Sequence, residues 1–162
     1  MVATELRVIY GDTDQMGVVY YANYLRFFEA GRNEFIRAKG LRYRDFEEIY
    51  QLQLPVAEAS VRYLQPARYD DLLRLETSME EIRRASATFG YRLLGEDGRL
   101  LATGRTVHAC VDMGGKLRRL PEALVTRLSD GETLARLERE RRAPGAAGGG
   151  EGTSWPKSRR RS

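Results

Sequence analysis

One amphipathic segment, residues 21–38, limits most strongly what this chain can fold into. At about 100° per residue, its aromatic and charged residues fall on opposite sides of a helix. The apolar side carries Tyr24, Phe27, Phe28, Gly31, Phe35 and Ala38. Gly31 lowers helix propensity by roughly 1 kcal/mol relative to Ala, so the sequence predicts that the helix approaches a sheet closely there. Tyr21, Leu25 and Ile36 widen the apolar side, and we expect protein to surround most of the helix.

Arg32 is the exception, because its side chain projects within the apolar side of this helix, where an unpaired charge is costly. Two interpretations are open. The aliphatic part of the side chain can lie along apolar surface while the charge reaches water at an edge. Alternatively, Arg32 pairs with a carboxylate such as Asp12 or Asp14.

The chain after residue 55 alternates between apolar and polar residues, which is typical of β-strands. Three segments do so, 56–64, 73–80 and 85–93, and a further long strand is predicted over 100–111. Asp97-Gly98 is a strong hairpin signal, a shorter alternation over 6–11 predicts a first strand, and Pro121 opens a short helix to about Leu128. These elements predict an α+β domain in which a curved antiparallel sheet wraps one long helix. The sheet has edges, and such edges commonly pair in dimers.

The positive charge of the chain lies mostly at its C-terminal end. The formal net charge of +4 would favour a nucleic-acid or membrane partner. However, residues 141–162 hold six of the 27 Lys and Arg and one of the 23 acids, so residues 1–140 carry a net charge of −1. Because a nucleic-acid-binding domain carries its basic residues on folded elements, we expect no nucleic-acid partner.

The 162 residues have room for one domain. We predict a folded domain over residues 1–130 and a charged, Gly- and Arg-rich disordered tail over 131–162. No apolar run is long enough for a transmembrane segment, and the first residues do not resemble a signal peptide. The single cysteine, Cys110, lies in an apolar stretch, so we predict that it is a core residue. A single cysteine cannot form an internal disulfide, which fits a reducing compartment. We therefore expect a cytoplasmic protein.

The usual catalytic motifs are absent from the sequence: it contains no Gly-x-Ser-x-Gly, no phosphate-binding loop and no His and Cys cluster for zinc. The one histidine, His108, lies within a predicted strand, and we interpret it as structural. Asp12 and Asp14, just before the helix, are the remaining candidates. By themselves they allow several interpretations: ligands of a divalent cation, the start of a haloacid-dehalogenase phosphatase motif, a reactive carboxylate at a helix N-terminus, or turn and cap residues.

The surroundings of this pair closely resemble the signature of the hotdog-fold acyl-CoA thioesterases, specifically the 4-hydroxybenzoyl-CoA thioesterase family with its Tol–Pal-associated members. Most of the resemblance lies in residues 7–32, RVIYGDTDQMGVVYYANYLRFFEAGR. Two further matches are residues 63–72, YLQPARYDDL, and residues 81–86, EIRRAS. The resemblance extends over about residues 5–128. It implies the hotdog fold, hydrolysis of acyl-CoA to a free acid and CoA, and a homodimer or homotetramer with sites at subunit interfaces.

The resemblance also implies roles for individual residues near the helix. Asp14 matches the catalytic carboxylate of the family, as nucleophile or general base, and the backbone N–H of Tyr21 matches the group that polarises the thioester carbonyl. Gly17 implies a loop that passes close to the bound acyl-thioester. Asp12 becomes a structural acid of the turn and a candidate partner of Arg32. The family carries both Tyr and His at the position of Tyr21, so the subgroup and the acyl group stay open; Tyr24 would suit an aromatic acyl group.

The coenzyme A part of the substrate brings phosphates, for which the resemblance implies basic residues. Arg83 and Arg84 match a basic pair of the family and are the first candidates, followed by Arg118 and Arg119. Because a carboxylate and N–H groups suffice for thioester hydrolysis, we expect neither a metal nor a separate cofactor. The alternative is a non-catalytic acyl-thioester-binding or scaffolding hotdog protein that docks through its Arg-rich tail. Retention of Asp14 favours the enzyme, since a binder has no chemical need for that carboxylate.

Overall fold

A long helix lies across one face of a five-stranded antiparallel sheet in this protein. The structure is a computed structural model and describes residues 1–129. Its elements are β1 (Val2–Arg7), a 3₁₀ turn (Tyr10–Asp12), α1 (Asn23–Ala38), α2 (Tyr43–Glu48), β2 (Leu52–Gln53), β3 (Val56–Tyr63), β4 (Leu72–Arg83), β5 (Ser86–Leu94), β6 (Leu100–Ala109), β7 (Val111–Asp112) and α3 (Glu122–Leu128). The sheet has the order β1-β4-β5-β6-β3, and β2 pairs with β7 in a separate ribbon. This is the predicted α+β architecture.

The buried side of α1 is close to the predicted one. It consists of Tyr24, Phe27, Phe28, Gly31, Phe35 and Ile36. The ring of Phe28 stacks on Tyr91 of β5 with 4.4 Å between ring centroids. A Cβ at Gly31 would lie 2.6 Å from Thr77 Oγ1 of β4, which confirms the close approach of helix and sheet. The prediction that protein surrounds most of the helix is wrong at Tyr21 and Leu25, because the sheet covers one side only and these side chains are 61% and 42% exposed.

The four strands predicted after residue 55 are confirmed as β3 to β6, with ends shifted by a few residues. The first strand, predicted over residues 6–11, lies earlier in the chain as β1 (Val2–Arg7). It ends at Arg7, and the alternation continues into the 3₁₀ turn, where Tyr10 is 74% exposed. The short helix α2 was not predicted although its Phe46 is fully buried, since six residues are too few to establish a helical period.

The two edges of the sheet are formed by β1 and β3. Strand β3 is hydrogen-bonded to β6 along one side, and within residues 1–129 no strand pairs with its other side. All eight of its residues except Val61 are exposed. A strand with an open row of backbone N–H and C=O groups is a template for pairing with another strand.

His108 and Cys110 are both buried, in agreement with their interpretation as structural residues. His108 Nδ1 lies 2.9 Å from the Leu54 carbonyl oxygen, and Nε2 lies 2.9 Å from Thr106 Oγ1. Burial lowers the pKa of His108 to about 4 and raises the pKa of Cys110 to about 11. The imidazole of His108 is therefore neutral and hydrogen-bonded, and the thiol of Cys110 stays protonated and inert. Both stabilise the core and neither supplies a reactive base or nucleophile.

Two predictions concern features beyond these elements. The predicted tail over 131–162 lies outside the described residues. Among the helices within residues 1–129, none has the length and apolar character needed to cross a bilayer.

Candidate active site

Asp14 lies in a tight loop before α1, and hydrogen bonds within the loop fix its position. Its Oδ1 accepts a hydrogen bond from the backbone N–H of Met16 at 2.8 Å. Its own N–H donates to the Val18 carbonyl, and its carbonyl accepts from the N–H of Gly17, both at 2.9 Å. The other carboxylate oxygen has no hydrogen bond to any residue within 1–129. The half-buried Asp14 is therefore oriented through one oxygen while the other can reach a substrate or a water molecule.

Gly17 shapes this loop through its backbone conformation. Its φ is +71°, in the left-handed region where a side chain is strained. A Cβ at this position would meet no atom within 4 Å. The turn conformation thus explains the glycine within this chain, and the predicted contact of Gly17 with the acyl-thioester stays a prediction.

The turn at Tyr21 and Ala22 leads into α1, which begins at Asn23 and not at Tyr21 as predicted. Ala22 already has helical φ and ψ angles of −70° and −23°. The Tyr20 carbonyl accepts the N–H of Asn23 at 2.9 Å, whereas the N–H of Tyr21 has no hydrogen bond within the described part of the chain. Free N–H groups at the start of a helix carry partial positive charge. They are suited to hold a carbonyl oxygen and to stabilise negative charge on it.

Asp14 and the start of α1 open onto the same cavity, which has a volume of about 320 Å³. The cavity is lined by Asp14, Met16, Val18 and Val19 of the loop, Tyr21 and Tyr24 of the helix start, and residues 63–66 after β3. Tyr24 is 3% exposed, and its ring meets the Tyr63 ring edge-on at 5.0 Å. Burial raises the pKa of both tyrosines, so both hydroxyls are neutral near pH 7. The site combines a carboxylate, a free N–H and largely apolar walls.

Asp12 has a structural role, as predicted, but with a different partner. One carboxylate oxygen accepts the N–H of Ile9 at 3.0 Å, and the other forms an ion pair with Arg26 of α1. Its carbonyl accepts hydrogen bonds from the Tyr20 N–H at 2.8 Å and from Asn23 Nδ2 at 2.9 Å. Asp12 thereby ties the loop to the start of α1 from a buried position.

Arg32 pairs with neither Asp12 nor Asp14, so that interpretation is wrong. The helix directs Arg32 towards the sheet, near Tyr91. Burial raises the pKa of Tyr91, and the nearby Arg32 guanidinium lowers it by a smaller amount. Its Nε is buried and has no hydrogen-bond partner within residues 1–129. Arg26, one turn and a half earlier, lies on the side of α1 that faces the Asp12 loop.

The predicted basic residues lie far from Asp14 on the same chain. Arg83 is the last residue of β4, and Arg84 lies in the turn that leads to β5. The cavity lies beside the opposite end of β5, where Leu94 pairs with Leu100. The nine residues of β5 span roughly 26 Å at ~3.3 Å per residue. Within one chain, the structure does not bring this pair to the carboxylate.

The basic residues also differ in their partners. Arg83 pairs with Glu81 at 3.1 Å, and Arg118 pairs with Asp112 at 2.8 Å. Arg84 and Arg119 are exposed and have no ion pair within residues 1–129. Exposed ion pairs contribute little free energy, so the pairing of Arg83 and Arg118 leaves them available for a stronger anion.

Two features of the site were not predicted from the sequence. One is the wall formed by residues 63–66, and the other is the Asp12–Arg26 pair. The sequence did contain a signal for the wall of residues 63–66, because residues 63–72 carry part of the family resemblance. A metal site has no support in the geometry described: within residues 1–129, no three His, Cys, Asp or Glu side chains are grouped as potential ligands.

Comparison with known proteins identifies the family. The model of the thioesterase-like superfamily matches residues 8–128. The chain belongs to this superfamily. The acyl-CoA thioesterase YbgC of Haemophilus influenzae is a relative with 38% identity over 109 residues, which are 67% of this chain and 79% of that protein. The family resemblance predicted from the sequence is thus confirmed.

Two solved structures share the fold of this chain. A hypothetical protein of Aquifex aeolicus has a TM-score of 0.75 at 32% identity, over 80% of this chain and all of that one (100%). The 4-hydroxybenzoyl-CoA thioesterase of Pseudomonas sp. strain CBS-3 has a TM-score of 0.72 at 22% identity, over 78% of this chain and 97% of that chain. These similarities confirm the predicted hotdog fold.

Proposed function

We propose that this protein hydrolyses acyl-CoA thioesters to a free acid and coenzyme A, with Asp14 as the reactive carboxylate. One observation carries the proposal: Asp14, which has one carboxylate oxygen without a hydrogen bond within residues 1–129, opens onto the same cavity as the start of α1. Membership of the thioesterase-like superfamily and the similarity to an acyl-CoA thioesterase support the same reaction.

The chemistry requires only groups that this site contains. The thioester carbonyl oxygen accepts a hydrogen bond from the Tyr21 N–H, which stabilises the negative charge that develops on attack. Asp14 either attacks the carbonyl carbon, releasing the CoA thiolate and leaving an anhydride that water cleaves, or takes a proton from the attacking water. In both routes the hydroxyl of one water molecule is added to form the free acid, and a proton converts the thiolate to CoA. No separate cofactor or metal is proposed.

The cavity walls support an acyl group as the bound part of the substrate. Val18, Val19, Leu64 and Pro66 are apolar, and Tyr24 adds an aromatic ring. Burial of an acyl chain or ring against such walls is favourable by about 25 cal/mol per Å² of apolar surface. We propose Tyr24 as an acyl-group contact and the cytoplasm as the location, the latter supported by the single, buried Cys110.

The active unit is proposed to be a homodimer, alone or paired into a homotetramer, in which β3 of each subunit joins the other. Two β3 strands related by a two-fold axis would run antiparallel. Val56 of one strand would then lie beside Tyr63 of the other. The β4–β5 turn lies at the Val56 end of the sheet, since Val56 pairs with His108 and Ser86 pairs with Ala109. Arg83 and Arg84 of one subunit would thus approach the cavity of the other, where they could bind the CoA phosphates.

Subunit mixing tests this arrangement. Asp14→Asn and Arg84→Ala homodimers are each expected to be impaired, because one lacks the carboxylate and the other a phosphate contact. A heterodimer of the two regains one intact site out of two. Because random exchange of equal amounts makes half of the dimers heterodimers, activity should rise towards about a quarter of the wild-type value after the subunits are exchanged in mild denaturant. A mixture no more active than the average of its parents would show that Asp14 and Arg84 do not serve one site across the interface.

The function itself is tested by thiol release from a panel of aromatic, short-chain and long-chain acyl-CoAs. We expect turnover of at least one acyl class, and the preferred class identifies the acyl group for which the cavity is shaped. Direct binding is measured in parallel by calorimetry. Binding of acyl-CoA without thiol release across the panel would favour the scaffolding alternative and contradict the hydrolase.

A further inference from the structure

Tyr63, the last residue of β3, reaches across to the start of α1. Its hydroxyl donates a hydrogen bond to the Tyr21 carbonyl at 2.9 Å, and its ring packs edge-on against Tyr24. Tyr63 also lines the cavity that contains Asp14. It therefore touches the backbone of the residue whose N–H faces the proposed substrate.

The backbone of Tyr21 depends on hydrogen bonds for its position. Its side chain is 61% exposed, and the one ring contact it makes within residues 1–129 is with the surface residue Tyr20, which is 43% exposed. The peptide group before Tyr21 is held through the Tyr20 carbonyl by the N–H of Asn23. The peptide group after Tyr21 is held through the Tyr21 carbonyl by Tyr63. The Tyr21 N–H belongs to the first of these planar groups, and the second group restricts rotation about φ and ψ of Tyr21. The two hydrogen bonds together therefore restrict the direction of the N–H, and the contribution of Tyr63 is indirect.

We propose that Tyr63 is a positioning residue for thioester hydrolysis, whose hydroxyl keeps the Tyr21 N–H aimed at the thioester carbonyl oxygen. The inference rests on the proposed function. A misdirected donor would bind the ground-state carbonyl nearly as well, because a neutral carbonyl accepts over a broad range of angles. It would stabilise the developing oxyanion less well, since that stabilisation requires a preorganised donor. The effect is therefore expected in kcat more than in KM.

Tyr63→Phe tests the role because it removes the hydroxyl and keeps the ring against Tyr24. We expect kcat to fall about 3- to 10-fold, the effect of one lost hydrogen bond, with KM within about twofold of wild type. Tyr69→Phe is the matched control: Tyr69 is 47% exposed against 46% for Tyr63, and its ring stacks on Tyr10 at 3.9 Å outside the cavity. This control should retain wild-type kcat and KM.

A second measurement does not depend on activity. The amide signals of Tyr21 and Ala22 in the ¹⁵N spectrum report the geometry of the two peptide groups. Tyr63→Phe should shift both signals, while Tyr69→Phe should shift neither. Unchanged Tyr21 and Ala22 signals in Tyr63→Phe would overturn the inference, as would a wild-type kcat in that variant. If wild-type protein proves inert on every acyl-CoA, the proposed function fails, and the amide signals still decide whether Tyr63 holds this backbone.

Discussion

Replacing Asp14 with Asn is expected to lower kcat for acyl-CoA hydrolysis by about 10²- to 10⁴-fold, the usual contribution of a positioned acid–base group. The amide has the shape of the carboxylate but can neither attack a thioester nor take a proton from water. Its Oδ1 can still accept the Met16 N–H that orients the loop. The free energy of unfolding should therefore stay within about 0.5 kcal/mol of wild type. Thiol release at saturating acyl-CoA and chemical denaturation measure the two quantities.

The matched control for this variant is Asp97→Asn. Asp97 is an exposed acid of the β5–β6 turn, where it accepts the N–H of Arg99. Asn followed by Gly98 suits such a turn, so fold and activity should be retained. Equal activity of Asp14→Asn and Asp97→Asn would exclude Asp14 as the reactive carboxylate.

The second large effect is a loss of stability in mild acid through His108. Burial lowers the pKa of His108 to about 4, with a smaller contribution from the nearby Arg32 charge, while the unfolded chain has a value near 6.5. Between these values the unfolded state binds the extra proton, so stability falls as pH falls. It is fully present above about pH 6.5 and is lost progressively towards pH 4, by about 3 kcal/mol in total.

Denaturation curves at several pH values between 7 and 4.5 measure this dependence. The test is clean above pH 5, because the sequence contains one histidine and few other groups titrate there. His108→Gln keeps a polar group that can bond to the Leu54 carbonyl, which His108 now contacts. This variant should be less stable at pH 7 and should have a flatter dependence on pH. Parallel curves for the two proteins would show that another group causes the acid sensitivity.

The fold was largely predictable because the strongest patterns in the sequence are the longest. The helical period of residues 21–38 predicts α1, the alternation after residue 55 predicts β3 to β5, and the hairpin signal Asp97-Gly98 predicts β6 after it. Gly31 predicted the close approach to a sheet, which the structure places at β4, since a glycine on an apolar helix side indicates a close neighbour. The short helix α2 and the exposed turn at Tyr10 were not predicted, because a segment of six residues or fewer is too short to distinguish a helical period from a strand period.

The site was predictable only where its residues are close in sequence. Asp14 and Tyr21 lie in one motif, and the structure places both at one cavity. The partners that arrive from elsewhere were missed or misassigned: Arg26 instead of Arg32 pairs with Asp12, and Tyr63 holds the Tyr21 carbonyl. Helical-wheel angles give the direction of a Cβ but not the position of a guanidinium at the end of a long side chain. The separation of the Arg84 turn from the cavity, at opposite ends of β5, depends on strand register, which the sequence does not reveal.

The central claim is that an acyl-thioester binds with its carbonyl between the Tyr21 N–H and residue 14. A crystal structure of Asp14→Asn with an acyl-CoA bound measures this directly. The account predicts the thioester carbonyl oxygen at about 2.7–3.2 Å from the Tyr21 nitrogen, with the acyl group against Tyr24. It would be contradicted by an acyl group elsewhere, for instance in the cavity of about 390 Å³ on the other face of the sheet, among Arg62, Arg92 and Arg105.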